Sequence, residues 1–147
     1  MEILTALLAS LLYLAAILQI IPGLSSNNQI SAKPVFFTAL AALALHAYLL
    51  KDLILSGAGQ NLSMLNVASL VSFIIAMMTT GLIFRLRLWF LLPVVYAFAG
   101  LNLASATLLP GAFITHLESH PEVLLHISLA LFSYSTLMIA TLYALQL

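Results

Sequence analysis

The sequence predicts an all-α, polytopic membrane helix bundle of about five transmembrane helices with the N-terminus outside. Three observations carry that expectation. The 147 residues are 64% hydrophobic and only 5% charged, with a mean hydropathy of +1.20, so polar side chains are too few to cover a water-facing surface. The apolar residues gather in segments near the ~20 residues that cross a hydrocarbon core, parted by short turns rich in Pro, Gly, Asn and Ser. The few basic residues fall unevenly on the two sides that these segments define.

The first segment, Ile3 to Ile21, stops at Pro22-Gly23, before the polar run Ser25, Ser26, Asn27, Asn28 and Gln29. Glu2 stands where a signal peptide would be basic, and no small-residue cleavage pattern precedes Pro22, so the segment reads as a retained span. The second, Val35 to Leu55, accepts Pro34 in its first turn, where no intrahelical donor is needed. The third, Met64 to Phe84, follows a loop holding Gly57, Gly59, Gln60, Asn61 and Ser63. The fourth, Leu88 to Leu109, ends at Pro110-Gly111. The fifth runs from Pro121 to Leu147, with Ser119 and Glu122 spaced as a capping box at its start. No Lys or Arg anchors its far end, so the chain reads as cut short there. Residues 1–147 form a single transmembrane domain without internal repeats.

Lys33, Arg85 and Arg87 share one side, while the other holds only Lys51, beside Asp52. Because cytoplasmic loops accumulate Lys and Arg, the N-terminus is placed outside, and Glu2, Asp52, Glu118 and Glu122 then all fall on the outer side. Trp89, near Arg87, suits an interfacial anchor.

Net charge is zero and the basic residues form no patch, which excludes nucleic acid as a partner and leaves the lipid bilayer. The absence of cysteine removes disulfides, thiolate metal sites, covalent heme attachment and cysteine nucleophiles together. No Gly-rich phosphate loop, buried carboxylate pair or nucleophile elbow is present, so nothing marks a catalytic centre. Asn61-Leu62-Ser63 fits a glycosylation acceptor, a tripeptide that chance supplies often.

Histidine remains as the only good soft ligand, and ionisable groups at membrane depth tend to mark sites. His46 lies roughly 17 Å into the second span and His126 roughly 8 to 10 Å below the outer end of the fifth, at ~1.5 Å per residue. His116 and His120 belong to the outer loop. Each has a plain alternative. His46 could be a neutral imidazole hydrogen-bonded to a Ser or Thr of a neighbouring helix. His126 shares a helical face with Ser133 and Tyr134, a polar stripe that faces something other than lipid, if only another helix. His116 and His120 have the spacing of a helical metal pair, but Pro121 biases His120 away from helical geometry, so they are weak metal candidates.

Thr115-His116-Leu117-Glu118, Leu125-His126-Ile127-Ser128 and Leu131-Phe132-Ser133-Tyr134 resemble the cytochrome c assembly proteins of the CcsA/HemX type. The resemblance is closest to a bacterial inner-membrane branch, YpjD. It extends through Gly59-Gln60-Asn61-Leu62-Ser63-Met64-Leu65-Asn66-Val67, Leu92-Pro93-Val94-Val95-Tyr96-Ala97-Phe98 and Leu142-Tyr143-Ala144-Leu145-Gln146-Leu147, essentially the whole chain. Family members are longer, so the chain would be the N-terminal half.

The resemblance implies a multi-pass protein of the bacterial inner membrane that handles non-covalent heme b at the periplasmic side. His126 matches the outer-site histidine that precedes a Ser-Tyr helix, and His46 the membrane-site histidine of an early span. Both would be heme-iron ligands. In the family the opposing axial histidines come from later spans, which would lie beyond Leu147; were the protein to end there, a cytochrome c maturation partner or a second copy of the chain would have to complete the coordination. The Trp-rich heme-receiving segment of the assembly members is missing, Trp89 being the only tryptophan. Two other readings stay open: a structural or accessory membrane subunit without cofactor, and a b-type heme electron carrier.

Overall fold

A computed structural model describes residues 2–25, 30–86 and 88–146, so Ser26, Asn27, Asn28, Gln29, Arg87 and Leu147 of the segments above lie outside the described residues. The elements run α1 (Glu2–Ser25), α2 (Ala32–Leu55), β1 (Gln60–Asn61), α3 (Met64–Gly81), α4 (Leu91–Leu108), β2 (Ile114–Thr115), a 3-10 turn (Leu117–Ser119) and α5 (Pro121–Gln146). All five α-helices are long and apolar enough to cross a membrane, as expected.

Several boundaries move, for identifiable reasons. α1 continues through Pro22 to Ser25. Proline keeps a helical φ and removes only one donor, and in an apolar medium the helix remains the conformation that pairs the other backbone groups. α3 ends at Gly81 and α4 begins at Leu91, so the join between them is longer than the sequence suggested. A helix starting at Leu88 would put Pro93 in its interior, against the preceding carbonyls; starting at Leu91 puts Pro93 in the first turn, where it is harmless. The intervening residues close local bonds instead, such as Arg85 N–H to Leu82 O at 2.9 Å and Leu91 N–H to Leu88 O at 2.9 Å.

The capping box is also corrected. Ser119 ends the 3-10 turn and His120 precedes α5, and Glu122 turns its carboxylate to His120 Nδ1 at 3.3 Å. The extra 3-10 turn displaces Ser119 from the cap position by one residue.

Each packed helix face is a stripe at three- and four-residue spacing. α1 buries Ala6, Ala9, Tyr13, Ala16 and Ile20, and α2 buries Val35, Ala39, Ala42, His46 and Leu49. α3 offers Asn66, Ser69, Ser72, Ala76 and Thr79, and α4 offers Leu92, Tyr96, Ala99, Leu103 and Ala106. Small residues dominate because helices in lipid associate through close backbone approach, hydroxyl hydrogen bonds and van der Waals packing. Gly100 lets α1 close on α4, with a Cβ there meeting Ser10 Cα and Tyr13 Cβ at 3.9 Å.

α1 packs between α2 and α4, α3 lies against α2 and α4, and α5 leans chiefly on α3. Only 11% of the α5 span is buried, against 44% for α4, so α5 is the peripheral helix. The strands pair antiparallel, Gln60 with Thr115 and Asn61 with Ile114, and so tie the α2–α3 connection to the α4–α5 connection at one end of the bundle. That ribbon end also receives the start of α1. The opposite, basic end carries Lys33 and Arg85.

Candidate functional site

The four histidines occupy three separate places. His46 is fully buried where α1, α2 and α3 meet. Its Nδ1 shares a hydrogen bond with the Tyr13 hydroxyl at 3.1 Å, and its Nε2 shares one with Ser69 Oγ at 3.0 Å. A neutral imidazole has one N–H and one lone pair, and both are thereby engaged. Phe73 closes the remaining side edge-on, with ring centroids 5.3 Å apart.

Tyr13 in turn packs on Tyr96 at 5.7 Å, and the Tyr96 hydroxyl meets Thr80 Oγ1 at 2.9 Å. Ser69, His46, Tyr13, Tyr96 and Thr80 thus form a chain of buried contacts that passes from α3 through α2, α1 and α4 and returns to α3. The expected partner type, a Ser or Thr across a small-residue contact, is present as Ser69. Tyr13 was not anticipated, although its place in an alanine stripe on α1 was the available signal.

His126 is exposed on α5 and makes no hydrogen bond or ion pair among the described residues. Nine residues, or about two and a half turns, separate it from buried Ser135, so the two lie on opposite sides of the helix. Ser133 and the 72%-exposed Tyr134 follow His126 on that outward side. Its surroundings are apolar: Leu125, Leu129 and Phe132 are exposed nearby.

His116 and His120 stand at the ribbon end. His116 Nδ1 meets Glu118 Oε1 at 2.9 Å, and Gln60 Nε2 donates to Glu118 Oε2 at 2.9 Å. Gln60 Oε1 accepts from Leu117 N–H at 2.8 Å, and Thr115 Oγ1 donates to the Gln60 carbonyl at 3.0 Å. The Glu118 carboxyl is held below its usual value, first by its backbone hydrogen bond and then by those from His116 and Gln60. Asn61 completes the seam, donating to Gly111 O at 2.9 Å and accepting from Phe113 N–H at 2.9 Å.

No group of three or more His, Asp or Glu side chains able to hold a bare metal ion occurs among the described residues. His46 lies buried among α1, α2 and α3 while His126 is exposed on α5, and His116 and His120 each turn Nδ1 to a separate carboxylate, of Glu118 and Glu122. Gln60 and Gly59 as supports of His116 went unrecognised in the sequence, because their partners lie more than fifty positions away, whereas Glu118 stands only two positions from the ring it holds.

The profile of the family described as "Cytochrome C assembly protein" matches residues 35–147. The chain belongs to the cytochrome c assembly protein family. It is 51% identical over 144 residues to proteins named "Inner membrane protein YpjD" from Escherichia coli strain K12 and Escherichia coli O157:H7. The match covers 97% of this chain and 55% of each relative, so the chain spans about half the length of the curated relatives it matches. No solved structure matches it. With five spans and these relatives, this cytochrome c assembly family member is a multi-pass inner-membrane protein.

Heme is the group the family suggests, and the two expected ligands differ in how they suit it. His126 has an unengaged imidazole on an apolar, outward helix side, which fits an axial ligand. His46 would have to release a hydroxyl of Tyr13 or Ser69 before its lone pair could reach iron.

Proposed function

We propose that this protein binds or presents non-covalent heme b at the ribbon end of the bundle, that this end faces the periplasm, as the distribution of Lys and Arg supports, and that the protein performs no bond-making chemistry itself. The observation that carries this reading is the free His126 imidazole in a member of the cytochrome c assembly family. Bound heme supplies an iron with axial positions open to imidazole. The chain's own residues do the rest. His126 would offer a neutral nitrogen, and Leu125, Leu129 and Phe132 would shield the porphyrin from water. An opposing ligand would come from outside the described residues, whether from further spans of a longer chain, a cytochrome c maturation partner or a second copy of the chain.

A second reading is favoured at one position. The two hydrogen bonds of His46 match an accessory membrane subunit in which a histidine joins helices. Hemin titration of the purified chain separates these. A Soret band that saturates in wild type and weakens in His126→Ala supports heme binding; a colourless preparation indifferent to hemin leaves the structural reading alone. A reversible redox transition of the bound heme would point to electron transfer.

A further inference from the structure

Because α5 leans on α3, a cleft is left between α5 and α4. Toward the basic end, where α4 begins and α5 ends, the cleft encloses about 390 Å³ between Phe90, Leu91 and Val94 on one side and Leu142 and Leu145 on the other. It continues inward past Phe98 and Met138 through a further space of about 120 Å³, which shares Val94 and Leu142. Leu91 is buried at its floor, and Phe90, Val94 and Leu145 are exposed on its rim.

The lining limits what can enter. A volume in the ~300–1,000 Å³ range of ligand clefts is bounded by apolar side chains alone, so a molecule with ring carbonyls or amides would find no hydrogen-bond partner inside. A hydrocarbon chain loses nothing there. Phe90 to Phe98 spans ~12 Å of helix, so the cleft runs from the membrane surface part-way into a ~30 Å hydrocarbon core, the course of an acyl chain.

The mouth selects the headgroup. Exposed Arg85 stands five positions before Phe90, and the bonds from Leu88 N–H to Leu86 O at 3.0 Å and from Leu91 N–H to Leu88 O at 2.9 Å hold that connection tight against the start of α4. Phe36 meets Phe84 at 5.1 Å, which brings the start of α2, with exposed Lys33, to the same connection. Neither cation makes an ion pair among the described residues, and all four acids of the chain lie toward the ribbon end. Unpaired cations at a membrane surface complement a phosphate, and the guanidinium fork matches it in shape. The groove between α1 and α4 lacks this feature: it reaches the surface at Ile3, beside Glu2, whose charge repels phosphate. A docking helix would cover the apolar walls without using the two cations.

We infer that the α4–α5 cleft binds an anionic phospholipid, one acyl chain lying between Phe90 and Leu145 and the phosphate held at Arg85, with Lys33 adding to the field. This site is independent of the heme reading.

Trp89, the only tryptophan, is adjacent to Phe90 and reports on the mouth. The full chain is reconstituted in vesicles of phosphatidylglycerol and phosphatidylcholine, with bromine on the acyl chains of one lipid or the other, and quenching of Trp89 is followed against mole fraction. Brominated phosphatidylglycerol should quench at about 5-fold lower mole fraction, the preference that one cation gives an anionic headgroup. Arg85→Gln should erase most of that preference with helix content unchanged, while Lys51→Gln at the opposite end should leave it intact. Val94→Phe, which fills the rim, should abolish the saturable part of the quenching. Equal quenching by the two lipids in wild type, a preference that survives Arg85→Gln, or a saturable component that survives Val94→Phe overturns the site. So does efficient disulfide cross-linking of Val94→Cys between two copies in the same vesicles, because protein then fills the cleft.

Discussion

His46 joins three helices with a single ring, and its removal should be felt in stability before anything else. Interhelical hydrogen bonds in membranes contribute about 0.6 kcal/mol each on average, and buried hydroxyls left unpaired cost about 1–3 kcal/mol. Tyr13→Phe or Ser69→Ala should therefore destabilise the bundle by about 0.5–1.5 kcal/mol, and His46→Ala by about 2–4 kcal/mol because a cavity is added. Denaturation in mixed micelles, followed by Trp89 fluorescence, measures both. A His46→Ala protein as stable as wild type would remove His46 from its joining role. At this scale the sequence was half legible. A histidine in an apolar span calls for a hydroxyl partner, but which of many Ser, Thr and Tyr residues supplies it depends on how helices are rotated, and hydropathy carries no rotation.

Among the elements, the ribbon and the α1–α4 contact differ in what they demand of a single glycine. A Cβ at Gly59 would run into the Thr115 carbonyl and the His116 ring, and no flexible side-chain end can yield to admit it. Gly59→Val should open the seam at a cost of about 1–3 kcal/mol and expose the Leu62 and Leu117 amides to hydrogen exchange, which mass spectrometry reads directly. Gly100 is looser. Gly100→Ala should be tolerated, since its new contacts are ordinary ones at 3.9 Å, whereas Gly100→Leu should push α1 from α4 and lower thermal stability by about 1–3 kcal/mol. Equal melting temperatures for the two variants would contradict that packing. The two-residue strands were invisible to periodicity, which needs at least four residues to show alternation. Pro93, by contrast, was readable and would have placed the start of α4 correctly had its need for a first-turn position been applied, as it was for Pro34.

For the molecule as a whole, the alternation of spans puts the ribbon and the N-terminus at one end and Lys33 and Arg85 at the other. A cysteine placed in the α4–α5 connection, for example Phe113→Cys, should react with an impermeant maleimide added to intact cells, and Leu86→Cys should react only after lysis. The reverse pattern would invert the orientation and move His116 and His126 to the cytoplasm. Five spans could be counted from hydropathy because the bilayer forces each one to be long, apolar and helical. Their neighbours could not, because nearly every face is apolar and only the buried Ala, Ser and Gly positions distinguish protein contact from lipid contact.

The two strands also impose an order on biosynthesis. Thr115 is added to the growing polypeptide 55 residues after Gln60, and two further helices must be threaded through the translocon between them. Until then the loop around Gly59 has no β-partner and the Asn61 amide no acceptor at Gly111. The latch can close only on a chain whose third and fourth helices have already been inserted in opposite directions, so its closure reports that insertion was completed correctly.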